Sequence, residues 1–293
     1  MKKLLPLLIL TLIACQDPQL GTTTQNAFYN PTNIIPLSGT FARANVSDPN
    51  GNPVPPEVGG FQDVTAILVG KGNGNYCYMT AKHAALGFDS YINSLYIDTV
   101  SDNQTSGIYQ IFSDAPLWLS QYADIGIIVV PSSPVAHPSP ADLPTADEVL
   151  SDSEISQGNG YILAYIVSTD FGGVGSNTEE NAEVCAVQSA VGEVLLQDSG
   201  FGFNSYSRDI NLDQSGCYSS FGAFNSGAVI LAIKSGKTPV PKIQGIWSND
   251  LSNGGRFATI RPLVDENFPT QATSEAQSFK DFLNLHCPIS RLN

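Results

Sequence analysis

The sequence predicts an all-β fold built as two antiparallel barrels or sandwiches and closed by one helix. Three observations carry this. Only 14% of the 293 residues are charged, 42% are hydrophobic, and glycine, aromatic and β-branched residues are abundant, a composition that favours strands over helices. Short strand-like runs recur along the chain with Gly, Asn and Pro between them. Helical periodicity is confined to the end.

In chain order, Lys2 and Lys3 precede an apolar run from Leu4 to Ala14. That run is too short for a bilayer, which needs about 20 apolar residues, and fits the hydrophobic region of an export signal. "LIAC" (Leu12 to Cys15) resembles the lipobox of bacterial lipoprotein precursors. The resemblance implies cleavage after residue 14, acylation of Cys15, and an exported protein anchored in a bacterial cell envelope, with Gln16 compatible with the outer membrane. Acyl chains contribute about 0.8 kcal/mol per buried methylene, so two or three make a stable anchor. Residues 15–58, rich in Thr, Asn, Pro and Gly, read as a tether with some extended structure.

The folded region is expected at 59–293. "FQDVTAILVG" and "YCYMTA" read as strands joined by "KGNGN", whose Asn and Gly supply the positive φ of a hairpin turn. "YINSLYIDTV", "GIYQIFSD" and "DIGIIVV" complete a first half at about 59–131. The proline-dense stretch "PSSPVAHPSPADLP" begins a connector at 131–148. A second half at about 149–270 contains "GYILAYIVS", "AEVCAVQSAVGEVLLQ", "GAVILAI", "IQGIWS" and "GRFATIRPLV". In "TSEAQSFKDFLNLHC", Ala276, Phe279, Phe282 and Leu283 share one helical face, and Ser274 and Gln277 have capping-box spacing. This predicts a helix over about 273–286.

The net charge is −14, and becomes −16 without Lys2 and Lys3. Such a chain repels phosphates and has no basic patch, which argues against nucleic-acid binding. Apart from Cys15, four cysteines remain: Cys77, Cys185, Cys217 and Cys287. In an oxidising compartment they form two disulfides, for which three pairings exist. No CxxC spacing or histidine cluster points to a metal, and no cofactor motif is present.

The chemistry-bearing residues are dispersed. "MTAKHAA" holds His83, one of three histidines in the chain; "YADIGIIVV" places Asp124 ahead of an apolar strand, and "FNSGAVILAI" places Ser226 between Asn225 and Gly227 ahead of another. "IQGIWSND" follows, with Ser248 and Asp250. In this order and spacing they resemble the chymotrypsin-like (trypsin-like) serine peptidases, across residues 60 to 290. Thr80 to Ala84 echo the family's histidine motif, Asp124 to Ile127 its aspartate strand, Asn225 to Gly227 its nucleophile turn, and Gly245 to Ser248 the strand lining its cleft.

The resemblance implies two antiparallel six-stranded β-barrels, a C-terminal helix and a serine endopeptidase. Ser226 would be the nucleophile, His83 the general base and Asp124 its orienting carboxylate. The backbone N–H groups of Ser226 and Phe224 would form the oxyanion hole. Ser220, Phe221, Ser248 and Asp250 would border the substrate cleft, and the partner would be a protein or peptide substrate met by a monomer. His137 and His286 read as bystanders. Ser215 in "LDQSGC" is a rival nucleophile, but a polar loop follows it instead of an apolar strand. In this family the terminal helix packs back on the first barrel, which pairs Cys77 with Cys287 and leaves Cys185 for Cys217. Phe224 stands where the family has glycine, and Ala84 where it has cysteine. The first departure supports an alternative, a catalytically inactive peptidase-like lipoprotein that binds peptides or proteins.

Overall fold

The computed structural model describes residues 41–47, 63–85, 94–101, 104–112, 116–131, 140–156, 160–168, 181–197, 204–212, 226–234, 242–251, 254–268 and 273–289. These form two antiparallel sheets. The first holds β1 (Phe41–Ser47), β2 (Asp63–Gly72), β3 (Asn75–Thr80), β4 (Ser94–Ser101), β5 (Gln104–Phe112), β6 (Leu117–Leu119) and β7 (Gly126–Pro131). Their order in space is β5-β4-β1-β2-β3-β7-β6.

The second holds β8 (Gly160–Ser168), β9 (Asn181–Ala190), β10 (Val194–Gln197), β11 (Asn204–Leu212), β12 (Val229–Lys234), β13 (Lys242–Leu251) and β14 (Gly254–Thr259), in the order β10-β11-β14-β13-β12-β8-β9. β9 also pairs with β11, with Ile210 opposite Ala190. That pairing joins the two ends of a run of strands into a ring.

An all-β architecture in two halves is thus observed, with seven strands in each sheet where six are expected. The extra strands have identifiable origins. β1 lies in the polar stretch expected to be tether, and its backbone groups are nevertheless taken up by β2 and β4, with Phe41 opposite both Ile67 and Val100. β10 comes from a run that reads as one strand in sequence; the chain leaves β9 at Ala190 and re-enters the sheet at Val194. β6 and β11 carry too little apolar periodicity to announce themselves.

Local chemistry accounts for the elements that position the site. Between β2 and β3, Asn73 (φ 49°) and Gly74 (φ 77°) are both left-handed, the pair that a two-residue turn matched to strand twist requires. β3 is buried from Tyr76 to Thr80 and β7 from Gly126 to Val130, so both lie in the interior. A single apolar cluster runs through them and includes Val229, Leu231, Ile243 and Ile246 of the second sheet.

The connector contains a short 3-10 turn (Ala146–Glu148), a helical segment (Asp152–Ser156) follows it, and a further short helix spans Arg261–Val264. Gln244 of β13 ties this connector to the second sheet, accepting from the Leu150 N–H at 2.9 Å and donating to the Glu148 carbonyl at 3.3 Å.

The last helix spans Thr273–His286, where the sequence places it. Within it, Gln277 donates forward to Asp281 at 2.8 Å, and the side chain of Ser274, the other half of the expected capping box, lies outside the described residues. Ala276, Phe279 and Leu283 are fully buried. Cys77 and Cys287 form a disulfide that bridges 210 positions. Gly70 and Gly72 make room for it: a Cβ on Gly70 would come within 2.9 Å of the Cys287 Cβ, and one on Gly72 within 2.8 Å of the Pro288 Cδ. Cys217 lies outside the described residues, and Cys185 sits on β9 opposite Ala164. Residues 1–40 also lie outside them, which includes Cys15 and the export signal. Among the described residues no helix is long and apolar enough to cross a membrane.

Candidate active site

His83 sits on a helical turn (82–85) that directly follows β3, closed by a bond from the Ala85 N–H to the Ala81 carbonyl at 2.9 Å. Small neighbours let this turn approach β7 closely. A Cβ on Gly126 would lie 3.0 Å from the Ala85 Cβ and 3.1 Å from Leu119 Cδ2, so glycine after Ile125 keeps the histidine turn against the segment that carries Asp124.

Asp124 is fully buried at the end of a tight loop and His83 is 3% exposed. The two are joined twice. The His83 backbone N–H donates to Asp124 Oδ1 at 2.9 Å, and ring Nδ1 lies 2.6 Å from Oδ2. A carboxylate only accepts, so Nδ1 is the donor in this bond.

Two serines of the second sheet hold Asp124, one at its carboxyl group and one at its backbone. Ser248 donates to Asp124 Oδ2 at 2.5 Å, and the Asp124 N–H donates to Ser205 Oγ at 2.9 Å. Ser207 and Ser205 are in turn linked at 3.0 Å. A backbone irregularity aims Ser248 inward. Trp247 pairs with Phe257 but Asn249 pairs with Arg256, leaving Ser248 as the extra residue of a bulge in β13, the device that redirects a side chain within a ladder.

Ser226 is half-buried on the turn that leads into β12. Gly227 has φ 97°, which favours glycine there. Its N–H donates to the Trp247 carbonyl at 2.9 Å, and the Trp247 N–H donates to the Ala228 carbonyl at 2.7 Å. The Ser226 turn is therefore fastened to the residue before Ser248, whose hydroxyl reaches Asp124. His83, Asp124 and Ser248 form one hydrogen-bonded group, and Ser226 stands on the adjoining turn.

Phe224, Ser220, Phe221 and the rival Ser215 lie outside the described residues; Asp250 is on β13 opposite Gly255. Among the described residues, no three His, Cys, Asp or Glu side chains are grouped to hold a metal.

Sequence reasoning missed a second polar group behind this one. Lys82 Nζ donates to the Ser120 carbonyl at 2.7 Å, and Glu275 of the last helix accepts from the Ser120 hydroxyl and from the Gln121 N–H. Burial pushes the Glu275 carboxyl above its ordinary range, against the pull of these bonds and of Lys82. Burial likewise lowers the Lys82 ammonium, against the attraction of Asp124 and Glu275. A charged residue on an amphipathic helix carries no mark in sequence that it will be buried.

No protein-family model matches the chain, and no curated protein matches it at a significant level. Solved structures do. The Rv3671c protease of M. tuberculosis H37Rv in an inactive form is 13% identical with a TM-score of 0.45, covering 82% of this chain and 90% of that one. The scabies mite inactivated protease paralogue S-D1 is 12% identical with a TM-score of 0.43, covering 86% and 98%. The NS6 protease of murine norovirus 1 is 14% identical with a TM-score of 0.36, covering 66% and 88%. These likenesses carry no weight for function, which rests on the chain's own side chains.

Proposed function

We propose that the chain is a serine endopeptidase that hydrolyses peptide bonds with Ser226, His83 and Asp124, held to a bacterial envelope by a lipidated Cys15. The observation that carries the catalytic part is the buried pair His83 and Asp124, 2.6 Å apart, with Ser248 on the same carboxyl oxygen. A buried carboxyl group accepting from Nδ1 fixes the tautomer whose Nε2 can take a proton, and it stabilises the imidazolium that results.

In this reading Nε2 of His83 accepts the hydroxyl proton as Ser226 Oγ bonds to the scissile carbonyl carbon. The tetrahedral oxyanion is met by the N–H groups of Ser226 and Phe224. The imidazolium then gives its proton to the leaving amine nitrogen as the C–N bond breaks. Water, deprotonated by the same nitrogen, then bonds to the acyl carbon, and the proton returns to Ser226 Oγ as the ester bond breaks. No metal or cofactor enters. The substrate is a protein or peptide lying along β13, and the enzyme works as a monomer.

A fluorophosphonate probe tests this directly. The wild-type chain is expected to label covalently, and Ser226→Ala and His83→Ala to abolish labelling. Folded wild-type protein that takes no label would favour the binding-module alternative, which Phe224 supports in sequence. For the anchor, metabolic labelling with a palmitate analogue is expected in the wild type and absent from Cys15→Ala.

A further inference from the structure

The last helix grips both segments that present the proposed acid and base. Near its start, Glu275 is 5% exposed, a place where a carboxyl group is costly unless its bonds compensate. Its Oε1 accepts from the Ser120 hydroxyl and, at 2.8 Å, from the Gln121 N–H. Those residues are four and three positions before Asp124. Ser120 organises the loop between: its Oγ accepts from the N–H groups of Tyr122 (3.1 Å) and Ala123 (2.8 Å), and its own N–H donates to the Ile125 carbonyl at 3.0 Å. Its carbonyl takes the ammonium of Lys82, the neighbour of His83.

The other end of the helix is fixed to the hairpin that leads to His83. Asn73 and Asn75 donate to the Leu285 and His286 carbonyls at 2.9 and 3.3 Å, and Cys287 is bonded to Cys77. Between the two ends, Trp118 donates to Ser278 at 3.1 Å and lies against Phe279. One helix thus holds the acid loop near its start and the hairpin that leads to the base turn at its end.

We infer that Glu275 is a positioning residue, which holds the Ser120 loop so that the Asp124 carboxylate stays on His83 and thereby governs the rate of chemistry and not the affinity for substrate. The inference rests on the peptidase reading, and its test separates the two.

The full chain is compared with Glu275→Ala, Glu275→Gln and, as a control on the exposed face of the same helix, Gln277→Ala. Two quantities are read: the far-downfield proton resonance of the His83 Nδ1–H, and fluorophosphonate labelling resolved into a limiting rate and a half-saturating concentration. Glu275→Ala is expected to lose or broaden the resonance and to slow the limiting rate about 10- to 100-fold, the scale of a small misplacement, at an unchanged half-saturating concentration. Glu275→Gln, whose amide oxygen accepts the same two bonds, restores both, and Gln277→Ala leaves both in place.

A folded Glu275→Ala with resonance and rate unchanged overturns the inference, as does Glu275→Gln behaving like Glu275→Ala. Should Glu275→Ala not fold by circular dichroism, Glu275→Asp, whose carboxyl group falls one methylene short of the Ser120 loop, is read instead: a lost resonance supports the positioning role and an unchanged one overturns it. Should the wild type show the resonance and take no label, the peptidase reading fails while the resonance alone still decides the role of Glu275.

Discussion

Ser248 Oγ lies 2.5 Å from Oδ2 of Asp124, and both side chains are buried. A hydroxyl from β13 thus meets a carboxyl group from the loop that leads into β7. Removing the donor leaves that oxygen with fewer partners where water does not replace it. Ser248→Ala is expected to cost about 1.5–3 kcal/mol in urea denaturation, the range for hydrogen bonds to charged groups. Fluorophosphonate labelling should slow about tenfold if roughly 1.4 kcal/mol of that is lost at the transition state. An unchanged denaturation midpoint would count against the bond.

Asp124→Asn keeps the shape and turns an acceptor into an amide whose NH₂ group favours the other histidine tautomer. The expected loss in labelling rate is about 10⁴-fold, with little change in the folded circular dichroism spectrum. Loss of fold instead would mean that the carboxyl group serves the packing of the loop first.

Gly255 lies under the ring of Trp247, where a Cβ would come within 1.9 Å of Cζ2. Trp247 is 1% exposed and has nowhere to retreat. Gly255→Ala is expected to destabilise by about 1–3 kcal/mol through overpacking and to shift the tryptophan emission toward the red. Because Trp247 precedes Ser248, labelling should fall as well.

The bridge between Cys77 and Cys287 spans 210 positions, so it restricts the unfolded chain strongly. Cys77→Ala, or reduction of the wild type, is expected to cost about 2–5 kcal/mol. Non-reducing peptide mapping should recover the Cys77 and Cys287 peptides joined. Urea midpoints that do not respond to reductant would contradict this.

Glu275 makes stability depend on pH in a stated direction. Its folded carboxyl is raised above the ordinary 4.5 by burial, although the Ser120 bond, the Gln121 and Tyr122 N–H groups and Lys82 oppose the rise. Below 4.5 the proton is bound in both states and the contribution is complete; above it the unfolded chain ionises first, so stability falls as pH rises through the window from 4.5 to the raised value. Glu275→Gln should flatten the slope in that window, read by denaturation across pH.

Much of this was legible in the sequence, because strong local signals agree with the fold there. Asn73 and Gly74 announce a turn by themselves, and the apolar face of Ala276, Phe279 and Leu283 announces the helix. His83, Asp124 and Ser248 are legible for a different reason: the first two flank apolar strands, the third lies within one, and their order and spacing link them. β1 is not legible, since its pairing with β2 and β4 uses backbone groups that every residue has. Nor is the burial of Glu275, which depends on where a distant loop comes to rest. The bulge that aims Ser248 is a mismatch of register between two strands, and a register has no signature in one of them alone.

The sealing of Cys77 by Cys287 also has a consequence in time. A ribosome delivers the first half of this chain long before the cysteine that secures it, so the histidine turn and the acid loop exist for most of synthesis without their brace. The proposed catalyst therefore reaches working order only when its final helix has been delivered and docked.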